Sequence, residues 1–325
     1  WLQDYLDKGD ERSLSIVAFF ISNWVDHQMY SDYPAGFAWG DSGMPKRFDV
    51  VDRFVQEYVC RSGSLDLEVL KKSLAVMLSH SLALCADAYY PVKFPYNHSI
   101  MMDVHFLQGH RFWKQIRGHD RMRDRVVGRL MEQIRASYSN DAIHVENSPD
   151  YHFMMTDFLY QILLVFEETG VDAQHCDELR ELFSRAYEGI AWFLQPNGTF
   201  VQFGDTSNAS ERAINLIFDF DKRYDSLAAL CPQIDQVIFA ATGGKQGSKP
   251  DVSDRVFPDS GYAVFRDRWH ESDSHSDMIV GHLTSSNRSI VHYHEDELSF
   301  SLYGYGTEII VDAGLYNYEG NRYTP

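Results

Sequence analysis

The sequence predicts an α+β protein that is helical through its first three quarters and antiparallel β thereafter. Three observations predict it. Apolar residues recur at helical spacing from Leu67 to Phe193, a Gly-, Pro- and Lys-rich stretch interrupts the chain at 242–252, and short alternating apolar runs follow from Gly261 to Val311. Helices first and strands afterwards form two segregated layers, not an alternating α/β fold.

The elements follow in order. Leu67, Leu70, Leu74, Met77, Leu78, Leu82 and Cys85 predict the buried face of one long helix. Val126, Val127, Leu130, Met131 and Ile134 predict a second, and Leu159, Leu163 and Phe166 a third that Gly170 should cap. Leu179, Leu182, Phe183, Ala186, Ile190 and Phe193 predict a fourth, stopped by Pro196-Asn197-Gly198. The stretch TGGKQGSKPDV, 242–252, reads as a domain edge, which gives a helical domain over 1–245 and the start of a β-sheet domain over 246–325. Beyond it, Gly261–Arg266, Met278–Leu283, Leu298–Tyr303 and Ile309–Val311 read as strands, with a turn at Gly304-Tyr305-Gly306.

Composition narrows the function. At 325 residues the chain is long enough for two domains. A net charge of −18 repels phosphate backbones and argues against nucleic acid as a partner. No run of about 18 apolar residues predicts a membrane span. The widely spaced Cys60, Cys85, Cys176 and Cys231 fit no zinc or redox motif and are expected to be buried free thiols. Both ends of the chain read as cut, so the termini carry no address; a periplasmic or secreted protein is the expectation.

Three clusters could carry chemistry. In His292-Tyr293-His294-Glu295-Asp296, placed at the start of a strand, residues two apart share a side, so His292 and His294 could face one site. A hairpin would bring Asp312 near His294, and two His with an Asp suit zinc or a similar divalent ion with one ligand still to be found. A pair of surface histidines among acids is the plainer alternative. Phe94-Pro95-Tyr96-Asn97-His98 precedes a helix, where Asn97 is a good cap. Glu146-Asn147-Ser148-Pro149-Asp150-Tyr151-His152 reads as a loop stiffened by proline and entering a helix, and simple capping explains it too.

Taken together, PYNHS (95–99), ENSPDYH (146–152), HYHEDELSF (292–300) and IIVDAGLYNY (309–318) resemble segments of the heparinase II/III-like superfamily of polysaccharide lyases, which also includes alginate-type lyases. FGDTS (203–207) and FPDSGYAVFRD (257–267) are similar to further segments of that family. The resemblance implies an (α/α) toroid followed by stacked antiparallel sheets, with the active site in the cleft between the two domains. It implies β-elimination on a uronic-acid-containing glycan, an anionic polysaccharide, giving a 4,5-unsaturated uronate end. Asn97, assisted by His98, would neutralise the sugar carboxylate; Tyr151 would transfer protons; His292 would serve as base or as carboxylate neutraliser; and Tyr323 would be a second aromatic acid. Lys93, Tyr96, Glu146 and His152 would line the substrate. His294 and Asp312 would bind a structural metal, commonly zinc, completed by a further His downstream of residue 325. A free tyrosine titrates near pH ~10, so a base role for Tyr151 requires positive charge beside it.

Two other classes compete. A helical toroid also suits an inverting glycoside hydrolase using a pair from Asp150, Asp205 and Glu146, with room for water between the two carboxylates. The same fold could also serve a polysaccharide-binding or assembly protein without turnover.

Overall fold

The computed structural model describes residues 2–29, 43–61, 63–86, 97–114, 118–206, 223–269, 278–289 and 292–315. Helices come first: α1 (Leu2–Lys8), α2 (Glu11–Trp24), α3 (Gly43–Arg61), α4 (Leu67–Cys85), α5 (Asn97–Trp113), α6 (His119–Ser137), α7 (Pro149–Thr169) and α8 (Ala173–Phe193), with a short helix at Ile234–Ala241. Strands follow: β1 (Arg255–Phe257), β2 (Tyr262–Arg266), β3 (Val280–Thr284), β4 (Ser299–Gly304) and β5 (Thr307–Ile310). They form one antiparallel sheet in chain order. This is the helix-then-sheet class that the sequence predicts. No helix among the described residues is long and apolar enough to cross a membrane.

The chain forms two compact units, one of Trp1–Ile134 with Val165–Val171, the other of Arg135–Leu164 with Asp172–Pro325. The core of the first is built from Leu14, Val17 and Ile21 of α2, Val51 and Phe54 of α3, and Val76 and Met77 of α4. Its helices start where short acidic side chains satisfy orphan amides: Asp10 accepts from Ser13 N at 2.7 Å, and Asp66 from Glu68 N at 2.8 Å.

Helix α4 exists where expected but buries only part of the predicted stripe, Met77 and Cys85 with Leu70 partly covered, and otherwise turns its neighbouring positions inward. Leu67, Leu74, Leu78 and Leu82 are exposed, whereas Ser73, Val76, Met77, His80, Ala83 and Leu84 are buried. The helix is apolar nearly all round, so spacing alone could not choose a side; partners for its polar residues make the other side possible. The Ser73 hydroxyl donates back to Val69 O at 2.9 Å, and the Arg47 guanidinium donates to His80 Nε2 at 2.9 Å. A similar correction applies to the thiols: Cys85, Cys176 and Cys231 are buried, but Cys60 is exposed.

In the second unit, the stripe of α8 buries Leu179, Phe183, Ala186, Ile190 and Phe193 as expected. Phe193 carries helix onto sheet, its ring 6.0 Å from Phe257 of β1 and 5.1 Å from Tyr262 of β2. Strand β2 alternates, with Tyr262, Val264 and Arg266 buried and Phe265 exposed. The β4–β5 turn has Tyr305 at φ 54° and Gly306 at φ 77°, the left-handed pair that a two-residue hairpin requires. Gly170, at φ 69°, ends α7 as predicted, and Val171 N–H reaches back to Phe166 O at 3.0 Å.

The face of α4 can be checked directly. Leu84→Ala, at a site with no exposure, should cost about 2–5 kcal/mol of stability, and Leu82→Ala, at 54% exposure, about 0.5 kcal/mol or less. Thermal unfolding midpoints read the difference; equal losses would restore the face that the leucine spacing predicts.

Candidate active site

The site is assembled within the second unit from three segments far apart in sequence: the loop 144–148 with the start of α7, the turn 203–206, and the loop 292–296 before β4. Pro149 opens α7, and its fixed φ suits a first helical position. The Ser148 hydroxyl caps it, accepting from Tyr151 N at 3.4 Å and bonding the Thr206 hydroxyl at 3.0 Å. The half-buried Tyr151 is thereby held in the first turn, and its ring stacks on His292, with centroids 3.8 Å apart and planes 26° apart.

His292 and His294 do not lie on a strand, as the alternating pattern suggested. They sit in the loop before β4, with His292 at φ 52°, a left-handed conformation that alternation cannot foresee. A carboxylate brings them together instead. His292 Nδ1–H donates to Asp205 Oδ2 at 2.5 Å, and His294 Nε2–H donates to Asp205 Oδ1 at 2.7 Å. On the other side of the ring, His292 Nε2 lies 3.4 Å from Glu146 Oε2. Glu146 is 1% exposed and faces His292.

Close backbone approach makes this possible. Gly204, at φ 52°, passes so near Asn147 that a Cβ would stand 2.4 Å from Asn147 O. Its N–H donates to Asp296 Oδ2 at 3.2 Å, tying the turn to the His292 loop. Asn147, itself at φ 55°, clamps the approach to that loop: its Nδ2 donates to Ser289 O at 2.8 Å, and its Oδ1 accepts from Ser286 Oγ and Arg288 N.

His152 is placed otherwise than expected for a residue lining substrate. It is buried, its Nδ1 accepts from His144 N at 3.2 Å, and its Nε2–H donates to Ala186 O at 3.0 Å, so both nitrogens serve the scaffold. Burial pushes the His152 imidazole down to about 4 and His144 down to about 3. In the first unit, Asn97 is buried and His98 half-buried at the start of α5, where a helix was expected to begin. Lys93, Tyr96 and Tyr323 lie outside the described residues.

The two expected metal donors, His294 and Asp312, have hydrogen-bond partners of their own. Asp312, just past β5, accepts from Ser299 Oγ at 2.8 Å and from Gly314 N at 2.9 Å, while His294 is bonded to Asp205. Asp296 has its carboxyl raised, chiefly by burial and further by the Asp312 charge. Imidazole and carboxylate are zinc donor types, but a structural zinc takes four ligands. Among the described residues no group of three or more His, Cys, Asp or Glu side chains is arranged to hold a metal ion. The described residues alone therefore supply donor types that suit zinc but do not complete a metal centre.

Fold and site thus define a helix-then-sheet protein whose candidate site is a tyrosine stacked on a histidine held by carboxylates. The chain belongs to the heparinase II/III family: the family's N-terminal region ("Heparinase II/III N-terminus") matches residues 2–230, and its "Heparinase II/III-like, C-terminal" region matches residues 249–324. A heparin-sulfate lyase of Bacteroides stercoris is 21% identical over 224 residues, which is 69% of this chain and 32% of that protein. A heparin-sulfate lyase of Pedobacter heparinus is 22% identical over 202 residues, 62% of this chain and 29% of the relative. Among solved structures, heparan sulfate lyase HepC from Pedobacter heparinus matches with a TM-score of 0.72 at 19% identity, over 99% of this chain and 48% of the other. A structure of heparinase III matches with a TM-score of 0.76 at 18% identity, over 97% of this chain and 49% of the other. The chain spans about a third of the curated relatives and about half of the solved ones.

Asp205 entered the sequence reading only as a possible hydrolase acid, whereas the structure sets it against His292 and His294. The signal was present in FGDTS, where a glycine able to adopt positive φ precedes an acid, but its partners lie nearly ninety residues away.

Two outcomes test this geometry. Gly204→Ala should lower the unfolding midpoint by an amount equivalent to roughly 1–3 kcal/mol, because it strains φ and meets backbone; unchanged stability would mean that the two loops do not approach this closely. Acid is the second. His144, His152 and His282 are held neutral by burial, with folded values of about 3, 4 and 3. Below their unfolded value near 6.5 the unfolded chain binds protons that the folded chain refuses, so stability falls as pH drops from about 6.5 toward 4. The loss at pH 5 should approach roughly 2 kcal/mol per histidine, and a melting temperature independent of pH between 7 and 5 would contradict it.

Proposed function

We propose that this chain carries the catalytic centre of a polysaccharide lyase that cleaves a uronic-acid-containing glycan by β-elimination, leaving a 4,5-unsaturated uronate end. The observation that carries the reading is the Tyr151–His292 stack, two proton-transferring side chains in contact with Asp205 and Glu146 against the imidazole. The names of the relatives, heparin-sulfate lyases, make a heparan-type uronate polymer the first substrate to test.

In the proposed reaction a base removes the proton on C5, the electron pair left behind becomes the C4–C5 double bond, and the C4–O bond breaks. The leaving oxygen takes up a proton, and no water is consumed. His292 receives the C5 proton and Tyr151 supplies one to the leaving oxygen, general acid–base work that contributes typically 10²–10⁴-fold. Negative charge builds on the sugar carboxylate as C5 loses its proton, and stabilising it is a large part of the barrier. The family resemblance gives the neutralising role to Asn97, whose amide donates hydrogen bonds without titrating, with His98 beside it in sequence. Glu146 and Asp205, the carboxylates a hydrolase would set apart around a water, both contact one imidazole, which favours the lyase over the hydrolase.

The proposal also includes a structural divalent ion, zinc by its donor chemistry, on His294 and Asp312 with further donors outside the described residues; no step of the reaction is routed through it. A periplasmic or secreted location, where such a polymer is met, belongs to the same reading.

The test is incubation of the full-length protein with a panel of uronate polysaccharides, following ultraviolet absorbance of the unsaturated product. Absorbance should rise on a heparan-type or related polymer, and Tyr151→Phe should lower kcat at least about 100-fold with the melting temperature unchanged. New reducing ends without absorbance would establish a hydrolase instead.

A further inference from the structure

We propose that Asp205 is the positioning residue of the site: it sets the rotation and the tautomer of the His292 ring on which Tyr151 stacks, turning Nδ1 to the carboxylate and Nε2 to the Glu146 side. The proposal rests on the reading of His292 as a proton-transfer group and assigns Asp205 no contact with substrate.

The geometry carries it. An imidazole on a loop with left-handed backbone has no strand or helix to fix its χ2, so hydrogen bonds must do so. Asp205 is 6% exposed, and its Oδ2 accepts the Nδ1 proton at 2.5 Å. A bond to Nδ1 fixes the tautomer and which nitrogen faces the carboxylate. The carboxylate is itself immobilised. Thr206 N and Oγ1 both donate to Phe203 O, Gly204 N donates to Asp296, and Oδ1 of Asp205 is held by His294 at 2.7 Å. One buried carboxylate therefore accepts from two imidazoles and locks them in a common orientation. Tyr151 enters the same lock, because its cap Ser148 bonds Thr206, the neighbour of Asp205. Carboxylates in this relation to a catalytic imidazole act by orientation, and their replacement by the amide costs up to about 10⁴ in kcat in serine proteases.

Asp205→Asn preserves shape but removes the charge and one acceptor oxygen, so the single amide oxygen cannot supply the short charge-assisted bond to His292 Nδ1 while also serving His294. Proton NMR of the full-length protein should show a downfield Nδ1–H resonance, assigned to His292 by its loss in His292→Gln, and Asp205→Asn should abolish that resonance while the melting temperature stays within a few degrees. Against the polymer that the wild type cleaves, kcat should fall roughly 100-fold or more, with KM within about threefold. Should Asp205→Asn fail to fold, Asp205→Ala with added formate is the second variant, and formate should restore both the resonance and part of the rate. A resonance that persists in Asp205→Asn, or a loss confined to KM, would overturn the proposal. If no polymer is cleaved, the function proposed above fails, and the resonance alone still decides whether Asp205 holds His292.

Discussion

The structure around the site depends on one close approach: the backbone of Gly204 passes against the carbonyl of Asn147 at a distance that no side chain would allow. Backbone polar groups need partners when two irregular segments meet. Here they find them, as Gly204 N–H reaches Asp296 and the Asn147 amide spans Ser286, Arg288 and Ser289. Three loops are thereby fixed without any regular element between them. Asp205 and Glu146 take their places around His292 because their neighbours Gly204 and Asn147 are pinned, and Tyr151 because its helix cap Ser148, three residues earlier, is pinned.

Local physics made much of the fold legible in the sequence. Apolar spacing located α6, α7 and α8, Gly170 ended α7 through a left-handed cap, and Gly306 closed a hairpin whose turn was expected there. What failed was choice of face. On α4 the leucines that repeat most regularly are the exposed ones, because a helix apolar on several sides leaves the decision to tertiary packing. Spacing also suggested that His292 and His294 share a side of a strand; they do share a site, but through Asp205 and not through alternation.

The residues that could be quoted in advance were those with local signatures. Tyr151 follows a serine cap and a proline, and the two histidines stand two apart. For Asp205 and Asn147 the local sequence, a glycine before the acid in FGDTS and an asparagine in ENSPDYH, does not reveal the role. Each works through partners between 87 and 142 positions away, a relation that a single chain read linearly does not display. Glu146 was visible as an acid beside the tyrosine, but its burial against His292 is a tertiary fact.

The scattering of the site along the chain has a kinetic consequence. Segments near 147, 205 and 292 must close loops of roughly sixty to ninety residues before the first of the central hydrogen bonds can form, and such closure is slow compared with helix formation. Helices α7 and α8 and the β4–β5 hairpin have local contacts and can form early, whereas the histidine centre has none. The geometry around His292 therefore rests wholly on contacts of long sequence separation, and anything that loosens the second unit reaches it before the helices or the hairpin.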